Sequence, residues 1–292
     1  MTEVTIRPMR PDDVPVAERL SAQCFVEFDR RTRRLCDPEP QPRSGVRRAD
    51  WLTRTHHLLE TDPGGCWVAD DDTGMIGMAT SFVRDKTWCL ATYAVRPDLQ
   101  SRGIGKQLLD AALHHGRGCL RGMLSASSDP RAVRRYRLAG FSLHPQMHLT
   151  GTVDRSAIPV IEKVRDGSAA DTDLMNSIDR QVRGAAHGPN HELMQRLWRP
   201  IVSDSTTGSG YAYLAEGRVE LLAATTRAAA TRLLWAAIAD GGAEHTVAHL
   251  TDANEWAIDV GLAARLELRT EGYLALRGMS PPSPYVHHGA LL

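Results

Sequence analysis

The sequence predicts an α/β (α+β) fold, a mixed, mostly antiparallel twisted sheet flanked by helices, laid out twice along the chain. Three observations carry that reading. Apolar runs of strand length alternate with segments of helical periodicity across all 292 residues. Three successive runs, Gly65 to Ala69, Met75 to Val83 and Thr87 to Val95, are joined only by short polar turns, which marks an antiparallel meander. One local pattern also recurs: Arg7 is followed six residues later by Asp13 at a helix start, and Arg165 six residues later by Asp171 at another. A chain of this length supports two domains of ordinary size. The boundary is placed where periodicity lapses, giving 1–152 and 153–292.

Val4 to Arg7 alternates as a strand, and Pro11-Asp12-Asp13 opens a helix whose apolar stripe is Val14, Val16, Ala17, Leu20 and Cys24. Residues 30–48 are rich in arginine and proline and aperiodic, so they are expected to form a mobile loop, with a helix resuming over 49–60. A substrate lid and a solvated connection both stay open for that loop. After the meander come a helix to about Gly116, a strand Gly122 to Ser125, a helix Pro130 to Ala139 and a strand beginning at Phe141. The second copy shows a helix opening at Asp171 with Leu174, Ile178 and Val182 on its apolar face. It continues with strands Gly210 to Leu214 and Arg218 to Ala224, a helix Ala228 to Ala239, a strand Thr246 to Leu250, a helix from Asn254 and a strand Leu266 to Arg277. The prolines of Ser280 to Tyr285 exclude helix and central strand, so this tail is expected to run extended over the surface. It either borders an active site or is a loosely held terminus.

Acidic and basic residues balance at 35 each, and no basic block is interleaved with aromatics, so neither nucleic acid nor a membrane surface is expected as a partner. A small molecule fits better. The cysteines at 24, 36, 66, 89 and 119 are odd in number and scattered, which argues against a disulfide framework and a zinc site. With no leader-like opening and no membrane-length apolar run, a cytoplasmic protein is expected. Asp70-Asp71-Asp72 reads as a hairpin turn, and the histidine pairs 56/57, 114/115 and 287/288 lack metalloprotease spacing, so no metal is expected. Ser125, Ser127 and Ser128 lack a Gly-x-Ser-x-Gly elbow.

The chemistry concentrates in Gln100-Ser101-Arg102-Gly103-Ile104-Gly105, between a strand ending at Val95 and a helix. Two glycines one residue apart let the backbone turn sharply and aim successive N–H groups at an anion, while the helix adds its positive end.

With its flanks, this loop resembles the GNAT superfamily of N-acetyltransferases. The first signature runs from Ala94-Val95-Arg96-Pro97 through the loop into Lys106-Gln107-Leu108-Leu109. The second is Ala132, Tyr136, Gly140 and Phe141, with Asp129 where many members have Asn. The resemblance implies acetyl-CoA as donor and no metal. The N–H groups of Arg102 to Lys106 would hold its pyrophosphate. Tyr93, Ala94 and Val95 would lie beside the thioester arm, and Gln100, Ser101 and Asp129 complete the donor-binding set. It further implies direct attack by a primary amine of a small molecule, with Tyr136 as general acid. A protein or peptide acceptor, a larger acyl-CoA, or an idle acyl-CoA-binding protein are the alternatives, and the chain is expected as monomer or homodimer. The strand position where some relatives carry a glutamate base falls near Cys89, with Leu90 and Ala91 beside it, so the base stays open among Asp85, Glu27, His56, His57 and a water chain.

The second copy departs from the pattern. Thr225-Thr226-Arg227 replaces the glycine loop, Asn254 and Ala257 restart the second signature, but Gly261 stands in place of Tyr136 and Arg265-Leu266 in place of Gly-Phe. Residues 153–292 are therefore expected to be a degenerate copy without a donor loop. Trp198, Tyr211, Tyr213, Trp235 and Trp256 line an acceptor pocket or form core.

Overall fold

The computed structural model describes residues 3–35 and 37–292, so of the five cysteines Cys36 lies outside the described residues. Chain contacts divide it into two compact units: one holds residues up to 83 together with 88–119, the other 84–87 together with 120–292.

In the first unit the alternating opening becomes β1 (Thr5–Pro8), followed by helices α1 (Val14–Thr32) and α2 (Gly45–Thr61). The meander is β2 (Cys66–Asp71), β3 (Gly74–Arg84) and β4 (Thr87–Val95), and α3 (Ile104–His115) follows the loop. The strands lie in the order β1-β2-β3-β4, antiparallel from β1 to β3. Val68, Ile76, Met78, Phe82 and Trp88 from the strands and Leu108, Leu109 and Ala112 from α3 are fully buried, and removal of this apolar surface from water drives the packing.

The expected stripe of α1 needs correction. Val14, Ala17 and Leu20 are buried, but Val16 is exposed and the face continues through Glu18 and Ser21. Glu18 tolerates burial because Arg43 and Arg48 pair with its carboxylate at 2.7 and 3.3 Å. Arg43 also lies over the Trp51 ring. The expected loop at 30–48 is shorter than read: α1 runs to Thr32, and the Ser44 hydroxyl caps α2 four residues earlier than the periodicity suggested.

The second unit contains β5 (Arg121–Ala126), α4 (Pro130–Leu138), β6 (Ser142–Thr152), β7 (Arg165–Asp166), α5 (Thr172–Arg183) and α6 (Asn190–Leu197). Then come β8 (Arg199–Ser203), β9 (Gly210–Ala215), β10 (Arg218–Ala224), α7 (Arg227–Asp240), β11 (Glu244–Leu250), α8 (Glu255–Ala263), β12 (Glu267–Arg277) and β13 (Tyr285–Val286). Helix α6 and strand β8 were not read from the sequence. The face of α5 is shifted by one residue, with Met175, Ile178, Asp179 and Arg183 buried and Leu174 half-buried.

Element order is repeated: strand, two helices, three strands, helix, strand, helix, strand, first over β1 to β6 and again over β7 to β12. The arginine-aspartate pattern is one device used twice. Arg7 bonds Asp13 at 2.7 Å, Arg165 bonds Asp171 at 3.0 Å, and each aspartate also accepts the N–H three residues before it, from Arg10 and Ser168.

The last strand of each copy is exchanged. The second unit's strands run β5-β12-β6-β11-β10-β9-β8-β7, so β12 of the second copy pairs with β5 of the first, and β6 of the first pairs with β11 of the second. The compact units accordingly do not follow the 152/153 repeat boundary, since β5, α4 and β6 of the first copy lie within the second unit.

The surface placement expected for the tail is corrected as well. Prolines keep it from being helix, but Tyr285 and Val286 form β13 against Leu222 and Ala223 of β10, and both are buried with Leu291 and Leu292. Asn254 holds the segment by accepting from Tyr285 N at 2.9 Å and donating to Pro282 O at 3.0 Å.

Candidate active site

In the first unit β4 delivers Tyr93, Ala94 and Val95 to its end, where Arg96 N makes a last bond to Ile76 O and Pro97, with no N–H, begins a short turn. Gln100 ties the loop back by donating to Val95 O at 3.0 Å, while its Oε1 is buried without a partner among the described residues. Ser101 and Gly103 take positive φ of 67° and 88°.

Gly103 is the N-cap of α3, and no side chain caps that helix, so its first-turn N–H groups lack intrahelical acceptors. A Cβ on Gly103 would meet nothing within 4 Å, which leaves this face open. Gly105 serves differently, because a Cβ there would collide with the Tyr93 hydroxyl. Lys106 pairs through its ammonium with Asp110 at 2.6 Å, so what it offers the loop is its N–H. An open backbone nest at a positive helix end fits the pyrophosphate of a CoA thioester.

Asp129 and Tyr136 belong to the second unit, Asp129 as the N-cap of α4 and Tyr136 within that helix. Asp129 caps the helix by accepting Arg131 N at 2.9 Å and also binds that guanidinium at 2.8 Å. Tyr136 is buried, and its carbonyl accepts Phe141 N as Gly140, at φ 87°, ends the helix. Phe141 is fully buried, with Arg277 over its ring. The glycine-phenylalanine pair is thus a helix stop and a core plug.

Residues 27–141 match the sequence profile of the acetyltransferase (GNAT) family. Over that stretch the chain is similar to the GNAT acetyltransferases. The match stops at Phe141, just before the exchanged strand β6. No curated protein matches the chain. Among solved structures, a candidate acetyltransferase from Pyrococcus horikoshii is 19% identical with a TM-score of 0.76, covering 99% of this chain and 95% of its own. A tandem GNAT protein from the clavulanic acid biosynthesis pathway is 14% identical with a TM-score of 0.61, covering 96% and 100%. A GCN5-related N-acetyltransferase from Sphaerobacter thermophilus is 16% identical with a TM-score of 0.58, covering 95% and 96%. At these identities the likeness is one of fold.

Of the residues considered as base for the GNAT chemistry, Asp85 is committed to the fold. It accepts Ala186 N and pairs with Arg180, both at 2.9 Å, and these contacts hold its carboxyl below the usual range. His57 is buried in α2, and Glu27 and His56 are exposed. Trp198, Tyr211, Tyr213 and Trp256 are buried core, while Trp235 is half-buried.

One cluster escaped the GNAT reading. Asp179, His187 and His191 are fully buried together: Asp179 Oδ2 lies 2.7 Å from His187 Nδ1 and 3.0 Å from His191 Nε2. Tyr211 donates to Asp179 Oδ1 at 2.5 Å. Burial pushes the Tyr211 phenol well up, with Asp179 adding to the effect. The signal in the sequence was the i, i+4 spacing of His187 and His191, eight residues beyond Asp179.

Proposed function

We propose that this GNAT-type N-acyltransferase moves an acetyl group from acetyl-CoA to a primary amine of a small molecule, by direct attack while donor and acceptor are bound together. The observation that carries the reading is the uncapped start of α3 behind Gly103, an anion cradle made of backbone. The donor supplies an activated thioester. Arg102 to Lys106 bind its pyrophosphate through N–H groups, Tyr93 to Val95 offer strand backbone to its arm, and holding both reactants supplies up to about 7–11 kcal/mol of the barrier reduction.

As the amine nitrogen bonds to the acyl carbon and the carbon–sulfur bond breaks, Tyr136 gives its phenolic proton to the departing sulfur. The proton lost by the amine restores it. The balanced charge of 35 acidic and 35 basic residues supports a metabolite acceptor over a charged protein tail.

The reading assigns one donor site, in the copy 1–152, and treats 153–292 as degenerate. Three features of the second copy support this. Thr226 caps α7 by accepting Ala229 N, so one of that helix's first N–H groups is already taken. The parallel pairing of β10 with β11 spans only Arg218 and Val219, and β13 takes up the next part of β10. Gly261, in place of Tyr136, packs so close to Leu149 that any side chain would collide. Acetyl-CoA-dependent thiol release across amino acids, polyamines, aminoglycosides and peptides tests the proposal. Turnover with small amines is expected, and release with peptides alone, or with none, would overturn it.

A further inference from the structure

We propose that Asp179, His187 and His191 form a structural site for a divalent transition metal, Zn2+ by donor type, in the interior of the second unit. The site stands apart from the acyl-transfer reading. The ligand atoms come from α5, from the connection leading into α6, and from α6 itself, and all three side chains are fully buried. Two imidazole nitrogens and one carboxylate oxygen suit Zn2+, whereas Ca2+ and Mg2+ take oxygen ligands.

Proton counting points the same way. His187 Nε2 lies 3.1 Å from the main-chain oxygen of Leu292, which can only accept, so the ring hydrogen belongs on Nε2 and a neutral His187 turns the Nδ1 lone pair toward Asp179. Tyr213 Oη lies 3.0 Å from His191 Nδ1 and 3.5 Å from Met175 Sδ: with its hydrogen on the sulfur it accepts from His191 Nδ1 and turns the Nε2 lone pair toward Asp179, and with its hydrogen on Nδ1 it leaves Nε2–H to Asp179. In the first arrangement two nitrogen lone pairs and a carboxylate oxygen converge, and a cation completes them. The opposite tautomer of His187 would take the Tyr285 hydroxyl at 3.3 Å, but it sets a lone pair against Leu292 O.

The outer contacts are those of a metal centre. The far nitrogen of each imidazole lies within hydrogen-bond reach of an oxygen, His187 Nε2 of Leu292 O and His191 Nδ1 of Tyr213 Oη, and Tyr211 donates to the other carboxylate oxygen. Bonds of 2.0–2.1 Å to a tetrahedral ion set ligand atoms about 3.3 Å apart, so binding draws the carboxylate back by a few tenths of an ångström. Complete burial leaves no approach for a substrate, so the role is to fasten α5, α6 and the segment ending at Leu292 together.

The test uses the full chain with any affinity tag removed. Elemental analysis is expected to find one zinc per chain. The apoprotein should melt lower and recover on adding Zn2+, and titration with Co2+ should give the visible absorption of a tetrahedral site, saturating at one equivalent. His191→Gln should abolish that absorption, and Tyr213→Phe, which keeps every ligand, should weaken Co2+ binding by roughly 10- to 100-fold. If His191→Gln fails to fold, the Co2+ titration of the unaltered chain decides alone. A metal-free protein without visible Co2+ absorption, whose melting ignores Zn2+ and chelator, overturns the proposal in favour of a network closed by protons.

Discussion

Gly103 and Gly105 stand two residues apart and do separate jobs, and substitution should distinguish them. Gly103→Glu puts a carboxylate into the open face of the cradle and should abolish acetyl-CoA binding by calorimetry while the chain stays folded, its φ of 88° costing about 1 kcal/mol of stability; retained affinity would remove the loop from the donor site. Gly105→Ala drives a methyl into the Tyr93 hydroxyl and should cost stability as well as binding. For Tyr136, exchange to Phe should reduce kcat about 100-fold with KM for acetyl-CoA little changed, the scale expected of a lost general acid. Unchanged turnover with every accepted amine would end that assignment.

A pH dependence follows from Asp13, whose carboxyl is held below its ordinary range chiefly by Arg7, against an opposing push from burial and with further help from the Arg10 N–H. A depressed carboxyl stabilises the folded chain above its unfolded value and loses that contribution as it protonates. Asp13→Asn should therefore cost about 1 kcal/mol near neutrality, with the difference from the parent narrowing as pH falls below about 4.

At the scale of elements, most strands and helices were legible because burial on one face writes its period into the sequence. The strands Thr87 to Val95 and Arg218 to Ala224 were read to the residue. What escaped did so for physical reasons. The stripe of α1 passes through Glu18 and that of α5 through Asp179 and Arg183, polar residues buried by partners far along the chain, which no periodicity count anticipates. Strand β13 was missed because its prolines hide two strand residues. The glycine loop was legible as a local backbone device, whereas Asp179, His187 and His191 belong to different elements and meet only in three dimensions. The exchanged strands were invisible as well, since each has the same alternation whichever partner it takes. Their exchange predicts that 1–152 expressed alone leaves β5 without β12 along Gly122 to Ala126. It should be aggregated or molten by near-UV circular dichroism.

For the whole chain, the proposed cradle, with Thr226 and β13 in the second copy, predicts a stoichiometry. Calorimetry should find one acetyl-CoA per 292-residue chain, and a second site of comparable affinity would contradict the closure of the second copy. The separate pieces 1–152 and 153–292, produced together, should recover structure that neither attains alone.

The strand order β5-β12-β6-β11 is also the arrangement two identical subunits would reach by trading their final strands. In such a homodimer every change to the loop falls on both sites at once, so losing one cradle means losing both. A covalent tether removes that constraint. It keeps the partner strand at high effective concentration whatever its sequence does elsewhere, so under the proposed reading one copy can lack the glycine loop and still supply the strand its twin pairs with.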